Sequence, residues 1–179
     1  VYSNQRPASI PEFLHKPSRE GARYLNMKKI SHNKYICDAC SVSKVKEKID
    51  WKKREKELIK LLNKHRSKDG KYDCVVPGSG GKDSVYASHL LKYKYGMNPL
   101  TVTWPPILYT SYGYENFKNW IEVGGFDNIT FKQNGRIIRL LTKLSIQNLL
   151  HPFQTFILRK KNIGPRIAAK YKIPLVFYG

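Results

Sequence analysis

Acidic residues are scarce: 13 Asp and Glu stand against 33 Lys and Arg, a formal net charge of +20. That shortage leaves two readings open. One is an anionic partner, such as nucleic acid, a nucleotide sugar or an acidic protein surface. The other is a lysine-rich, solvated exterior. Cysteine is also rare. Three thiols exclude a disulfide framework, and two of them stand as Cys37-Asp38-Ala39-Cys40, which favours metal or redox use in a reducing compartment. No uninterrupted apolar run reaches bilayer-spanning length, so neither a transmembrane helix nor a membrane partner is expected. No secretory leader is visible at Val1, which makes a cytoplasmic location the expectation, and the missing initiator Met predicts a start further upstream. Apolar material is present: 41% hydrophobic and 12% aromatic residues over 179 positions suffice for one ordinary domain with a small appendage.

The rest of the chain is organised around Tyr72-Asp73-Cys74-Val75-Val76-Pro77-Gly78-Ser79-Gly80-Gly81-Lys82-Asp83-Ser84. Val75 and Val76 are β-branched and predict a short strand. Gly78, Gly80 and Gly81 permit backbone angles that other residues resist and let a ligand approach the main chain. Asp83 and Ser84 suit the cap or first turn of a following helix. Strand, glycine turn and helix start together leave unpaired N–H groups at the positive end of a helix, which suits phosphate. Two common phosphate patterns fail. Asp83 follows Lys82 where G-x-x-x-x-G-K-[ST] needs a hydroxyl residue, and Asp83 occupies the third glycine position of G-x-G-x-x-G.

Residues 1–48 read differently from the rest. Pro7, Pro11 and Pro17 break any helix, and no apolar period persists. The Cys37/Cys40 spacing is half of a structural zinc site. The remaining ligands come either from His15 and His32 or from a second cysteine pair upstream of Val1; a metal-free thiol pair is the alternative. Redox catalysis is disfavoured because no strand-to-helix frame is expected around the pair. Residues 49–66 predict a charged amphipathic helix with Leu58, Leu61, Leu62 and His65 on one face, stopped by Asp69-Gly70.

After the glycine turn a helix is expected from Asp83 to Tyr95, burying Tyr86, Ala87, Leu90 and Leu91, with Gly96 as its C-terminal cap. Leu100–Trp104 predicts a second strand, cut off by Pro105-Pro106, and so a right-handed parallel βαβ unit. Ligands lie beyond the carboxyl ends of such strands, which puts Thr103 and Trp104 beside the loop, lining an adenine or ribose pocket. Trp104 as a core residue is the alternative. A helix over Tyr114–Val123 buries Phe117, Trp120 and Ile121, and Asn128–Lys132 predicts a third strand. Ile137, Leu140, Leu141 and Leu144 mark a further helix, followed by an unpatterned stretch from His151. A short helix, Arg166–Tyr171, turns Ile167, Ala168 and Tyr171 inward, and Ile173–Tyr178 predicts a final buried strand. Residues 49–179 are therefore expected to form a doubly wound α/β domain whose last ligand-binding loops lie beyond Gly179.

Ser79-Gly80-Gly81-Lys82-Asp83-Ser84 resembles the S-G-G-x-D-S loop of the ATP pyrophosphatases, the PP-loop superfamily. Together with Tyr2-Ser3-Asn4-Gln5-Arg6-Pro7, the run Tyr95–Trp104, the Gly125-Phe126-Asp127 turn and Ile173–Gly179, it makes nearly the whole chain resemble the N-acetyl sugar amidotransferases. These act in the synthesis of lipopolysaccharide O-antigen and flagellar sugars. The resemblance implies a Rossmann-like doubly wound parallel sheet of the PP-loop (adenine nucleotide alpha hydrolase-like) type, with a small zinc-ribbon-like N-terminal segment. It implies binding of ATP and Mg²⁺, adenylation of the sugar's N-acetyl oxygen, and displacement of AMP by ammonia to leave an acetamidino group. A glutaminase paired with a cyclase-like subunit would deliver the ammonia.

Under that resemblance the N–H groups from Gly80 to Asp83 cradle pyrophosphate, and Ser79 and Ser84 add hydroxyls. Lys82 neutralises developing charge, and Asp83 holds magnesium or caps the helix. Cys37 and Cys40 are half of a Zn²⁺ site. Two departures stand out: the family's first cysteine pair is not in this chain, and His151–Lys161 lacks an acidic residue near His151 and Gly-Gln near Arg159-Lys160. Cys74 reads as inert core, and no Ser-His-Asp or Cys-His set is needed. Two rival readings stand. A tRNA-modifying member of the superfamily, of thiolation or lysidine type, suits the charge and the C-x-x-C, but no basic–aromatic stacking platform accompanies them, so nucleic acid is not the expected partner. A non-catalytic ATP-binding subunit is the other; an intact Asp83 speaks against it.

Overall fold

The computed structural model describes residues 27–31, 34–106 and 108–179, with side chains from Cys40 onward. Tyr2–Pro7, the prolines Pro7, Pro11 and Pro17, the candidate ligands His15 and His32, and the Cys37 side chain lie outside the described residues. The chain divides into two units, Val1–Glu55 and Lys56–Gly179.

In the first unit β1 (Met27–Ser31) pairs antiparallel with β2 (Lys34–Cys37), with a register shift between Lys29 and Ser31. The chain passes directly into α1 (Asp38–Glu47). This helix was not expected: Val42 and Val45 are both exposed, so no apolar period marks it. Cys37 closes β2 and Cys40 lies in the first turn of α1. The strand-to-helix frame that the sequence did not reveal around this pair is therefore present.

The second unit is built on a four-stranded parallel sheet of order β5-β4-β3-β6. Its strands are β3 (Cys74–Pro77), β4 (Pro99–Thr103), β5 (Asn128–Thr130) and β6 (Leu175–Val176). Its helices are the second part of α2 (Trp51–His65), then α3 (Lys82–His89), α4 (Ser111–Glu122), α5 (Gly135–Leu149) and α6 (Gln154–Tyr171). Alternate residues of β3 serve two cores. Val75, Leu100 and Val102 pack with Ile163, Ile167 and Ala168 of α6 and with Ile173. Cys74 and Val76 face the other way, onto Leu62 of α2, Leu91 and Met97. Helices on both faces give the doubly wound α/β arrangement, and the period of two along β3 is its local cause.

Several faces differ from expectation. In α2, Leu62 is buried and Leu58 partly so, but Leu61 is exposed. In α3, Tyr86 is exposed, and the inward row is Ser84, Ser88 and Leu91, at i, i+4 and i+7. The small serines admit Trp120 of α4, whose indole N–H donates to the Ser88 hydroxyl at 2.8 Å. The helix continues as one π-helical stretch, Leu90–Lys94, and ends with Gly96 at φ +61°, the expected left-handed cap. In α5 the inward residues are Ile138, Leu141, Thr142 and Ser145, while Ile137, Leu140 and Leu144 are exposed. The helix is thus rolled away from its own apolar stripe.

The largest departure is α6. It runs for 18 residues, through Pro165, where the sequence shows an unpatterned stretch from His151 and predicts a short helix over Arg166–Tyr171 only. Tyr171 is exposed, and Ile163 and Gly164 join Ile167 and Ala168 on the buried face. Strand β6 ends the order and is half-buried, not enclosed. Among the described residues no helix is long and apolar enough to cross a membrane.

Candidate functional site

From β3 the sheet grows to one side through β4 and β5, and then returns to the other side of β3 with β6. The order reverses between β3 and β6, so the carboxyl ends of these two strands open a crevice. One border is the loop from Gly78 to Gly81; the other is the exit of β6 at Tyr178 and Gly179.

Local constraints fix the loop. The Gly78 N–H donates to the Val102 carbonyl at 2.9 Å, which extends the β3–β4 ladder by one step. A Cβ on Gly78 would fall 2.5 Å from Ser84 Cβ and 2.7 Å from Trp120 Cη2. Gly80 has φ +83°, and a Cβ there would lie 2.6 Å from Phe117 Cα. Both positions need glycine. Gly81 is the N-cap of α3, with no side-chain cap, and its carbonyl accepts from Val85 N–H and from the Ser84 hydroxyl, each at 3.0 Å. The first-turn N–H groups of α3 therefore have no side-chain acceptor and point toward the crevice end of the helix.

The crevice is a small cleft of about 120 Å³ lined by Ser79, Gly81, Asp83, Ser84, Lys160 and Tyr178–Gly179. Of the residues expected to act together, Ser79, Gly81, Asp83 and Ser84 meet here. Gly80 and Lys82 do not. They line a larger groove of about 740 Å³ between α3 and α4, with His89, Tyr93, Asn116 and Asn119. Adjacent helical residues point about 100° apart, so Lys82 and Asp83 at the start of α3 cannot serve the same wall.

Thr103 and Trp104 are also turned away. Thr103 is fully buried, and its hydroxyl accepts from Asn128 Nδ2 at 3.0 Å. Trp104 is half-buried against the α6 core, with its ring 6.1 Å from that of Phe131 at an interplanar angle of 21°. The Arg159 guanidinium lies 5.7 Å from the indole centroid, and the buried indole N–H has no partner among the described residues. Neither residue lines this small cleft.

A single carboxylate, Asp83, faces the cleft. That suits Mg²⁺ arriving with a nucleotide, since this ion keeps several waters and takes one or two carboxylates plus substrate phosphates. Among the described residues no three His, Cys, Asp or Glu side chains converge. Cys40 is exposed on α1. Cys74 is buried in β3, and burial, then the neighbouring Asp73 carboxylate, push its thiol pKa far up, which makes it unreactive as expected.

Lys160 and Tyr178 were not singled out from the sequence. A signal existed for Lys160: it stands four residues before Gly164 and three before Ile163, on the face of α6 that meets the sheet. It became readable only once α6 was known to begin at Gln154.

No family model matches the chain. Over 69 residues it is 42% identical to an uncharacterised protein of Methanocaldococcus jannaschii. The match covers 38% of this chain and 24% of the relative, so the chain spans about a quarter of the length of the curated relative it matches.

Proposed function

We propose that the second unit is a PP-loop ATP pyrophosphatase domain that binds ATP with Mg²⁺ in the β3–β6 cleft. In the same reading the protein is an AMP-forming amidotransferase acting on the N-acetyl group of a sugar or nucleotide sugar. The observation that carries the nucleotide reading is the meeting of Ser79, Gly81, Asp83 and Ser84 around one cleft, at the point where the strand order reverses. The choice of acceptor rests on the sequence resemblance. The antiparallel β1–β2 pair and the Cys37/Cys40 spacing support reading the first unit as a zinc-ribbon-like segment that takes Zn²⁺.

The chemistry divides into two displacements. The acetamido oxygen attacks the α-phosphorus, the α–β bridging P–O bond breaks, and pyrophosphate leaves with the electron pair. Ammonia then adds to the imidate carbon, and the C–O bond to AMP breaks to give the amidine. The chain's part is to hold the leaving pyrophosphate: first-turn N–H groups of α3 and the Ser79 hydroxyl donate to its oxygens. Asp83 would hold the Mg²⁺, which would supply charge stabilisation to the leaving group. The groove between α3 and α4 offers the Asn116 and Asn119 carboxamides and the Tyr93 ring to an acceptor. A glutaminase with a cyclase-like subunit supplies the ammonia.

The test is pyrophosphate release from ATP and Mg²⁺ with ammonium present and either an N-acetylated nucleotide sugar or bulk tRNA added. Release stimulated by the sugar and lost in Asp83→Ala is expected. Stimulation by tRNA alone transfers the domain to RNA modification, which the +20 charge would suit. ATP binding without release makes it a non-catalytic subunit.

A further inference from the structure

Helix α6 passes close over the end of β3. A Cβ on Gly164 would collide with Pro77 Cγ, so only glycine lets the helix lie this near the loop. Ile163, Gly164, Ile167 and Ala168 form its buried face. Lys160 continues that face by one turn toward the helix N-terminus, past the carboxyl edge of the sheet, and there it lines the same cleft as Asp83. Lys82, the lysine of the glycine loop itself, lines the groove on the other side of α3.

The cleft is therefore lined by one lysine and one carboxylate, and neither has an ion-pair partner among the described residues. Two opposite charges that share about 120 Å³ without closing on each other suit a ligand that carries both signs: an anion for the ammonium, with a cation for the carboxylate. The turn carrying Lys160 is anchored from the ligand side, because the Tyr178 hydroxyl donates to the adjoining Lys161 carbonyl at 2.8 Å. An ammonium on an anchored turn, lining the same cleft as the N-terminus of α3, completes a cradle for a polyphosphate.

We propose that Lys160, not Lys82, is the lysine that binds the pyrophosphate portion of the nucleotide. This rests on the nucleotide reading given above and goes beyond it in taking the cation from α6. Recognition of the phosphates then depends on two segments far apart in the chain. The loop alone forms one wall, and the site is complete only when α6 is docked on β3.

The experiment is calorimetric titration of the full chain with inorganic pyrophosphate and Mg²⁺, for wild type, Lys160→Ala, Lys160→Arg and Lys82→Ala. Lys160 is exposed, so its variants are expected to fold, and an unchanged urea midpoint verifies it. Losing one charge-assisted contact is expected to weaken pyrophosphate about tenfold in Lys160→Ala, with most of the affinity restored in Lys160→Arg. The loss in Lys82→Ala is expected to be smaller than that in Lys160→Ala. Binding by Lys160→Ala equal to wild type, or a larger loss in Lys82→Ala, overturns the assignment and leaves the nucleotide reading standing. A wild-type protein that binds no pyrophosphate overturns both.

Discussion

The hydroxyl of Tyr178 donates a 2.8 Å hydrogen bond to the carbonyl of Lys161. Lys161 is four residues before Pro165, so its carbonyl is the one that would accept from residue 165 in an unbroken helix. Proline has no N–H to give and is ordinarily a helix breaker. Tyr178, just beyond β6, supplies the missing donor, and α6 continues through the proline. The same contact ties the exit of the last strand to the helix turn beside the candidate phosphate cleft.

Removing that donor has a measurable cost. Tyr178→Phe is expected to lower unfolding stability by about 1 kcal/mol, the usual net worth of one hydrogen bond. In a Pro165→Ala background the loss is expected to shrink, because the alanine N–H can take over the Lys161 carbonyl. Urea unfolding of the two single variants and the double variant gives the coupling; strict additivity would mean that the tyrosine serves some other purpose.

Gly80 combines a left-handed backbone with close approach to α4. Gly80→Ala places a methyl 2.6 Å from Phe117 Cα at φ +83°. The backbone conformation and the overlap together are expected to destabilise the unit by about 2–4 kcal/mol. Nucleotide binding is expected to fall as well, since the loop must shift. A crystal structure of the variant with an unmoved loop would refute the steric argument.

The Ser88–Trp120 bond is buried, and its two ends respond differently. Ser88→Ala leaves the indole N–H without an acceptor inside the α3–α4 contact, at a cost of about 1–3 kcal/mol. Trp120→Phe removes the donor itself and leaves the serine bonded to the Ser84 carbonyl at 2.9 Å, but it opens space beside Phe126. Thermal unfolding separates the two effects, and a Ser88→Ala protein as stable as wild type would show that another acceptor replaces the hydroxyl.

Tyr72 gives the chain an alkaline limit. Its hydroxyl donates to Asp127 Oδ2 at 2.6 Å, and this bond, followed by burial, raises the phenol pKa above its ordinary 10.0. A folded pKa above the unfolded one means that the folded state holds its proton more tightly. The stabilisation is complete below pH 10 and is lost as pH rises from about 10 through the folded value. Stability measured from pH 8 to 11 is expected to fall less steeply in Tyr72→Phe than in wild type. Equal slopes would remove Tyr72 from the account.

Much of the second unit was legible because its signals are local. Val75 and Val76 mark β3, the glycines mark the turn, and Gly96 and Pro99 mark the end of the α3 segment and the entry to β4. These residues act on their own backbone or on that of immediate neighbours, so periodicity and turn chemistry register them. The signals failed where side-chain direction is set by what lies opposite. Ser88 faces inward because Trp120 needs an acceptor and room. Leu140 and Leu144 face outward because α5 meets its neighbours through Ile138 and Ser145. No spacing rule within one helix contains that information.

The sequence by itself determined a glycine-rich turn between a buried strand and a helix, inside a parallel βαβ unit. Tertiary structure decided which loop residues share the cleft: Asp83 enters it and Lys82 does not. It decided that Thr103 bonds to β5, and that α6 runs through Pro165 to carry Lys160 to the cleft. The physical reason is the distance along the chain. Gly164 on Pro77 and Tyr178 on Lys161 are contacts between residues that meet only after the sheet has formed. A helix breaker becomes a helix residue, and a surface lysine becomes a cleft residue, only when those contacts exist.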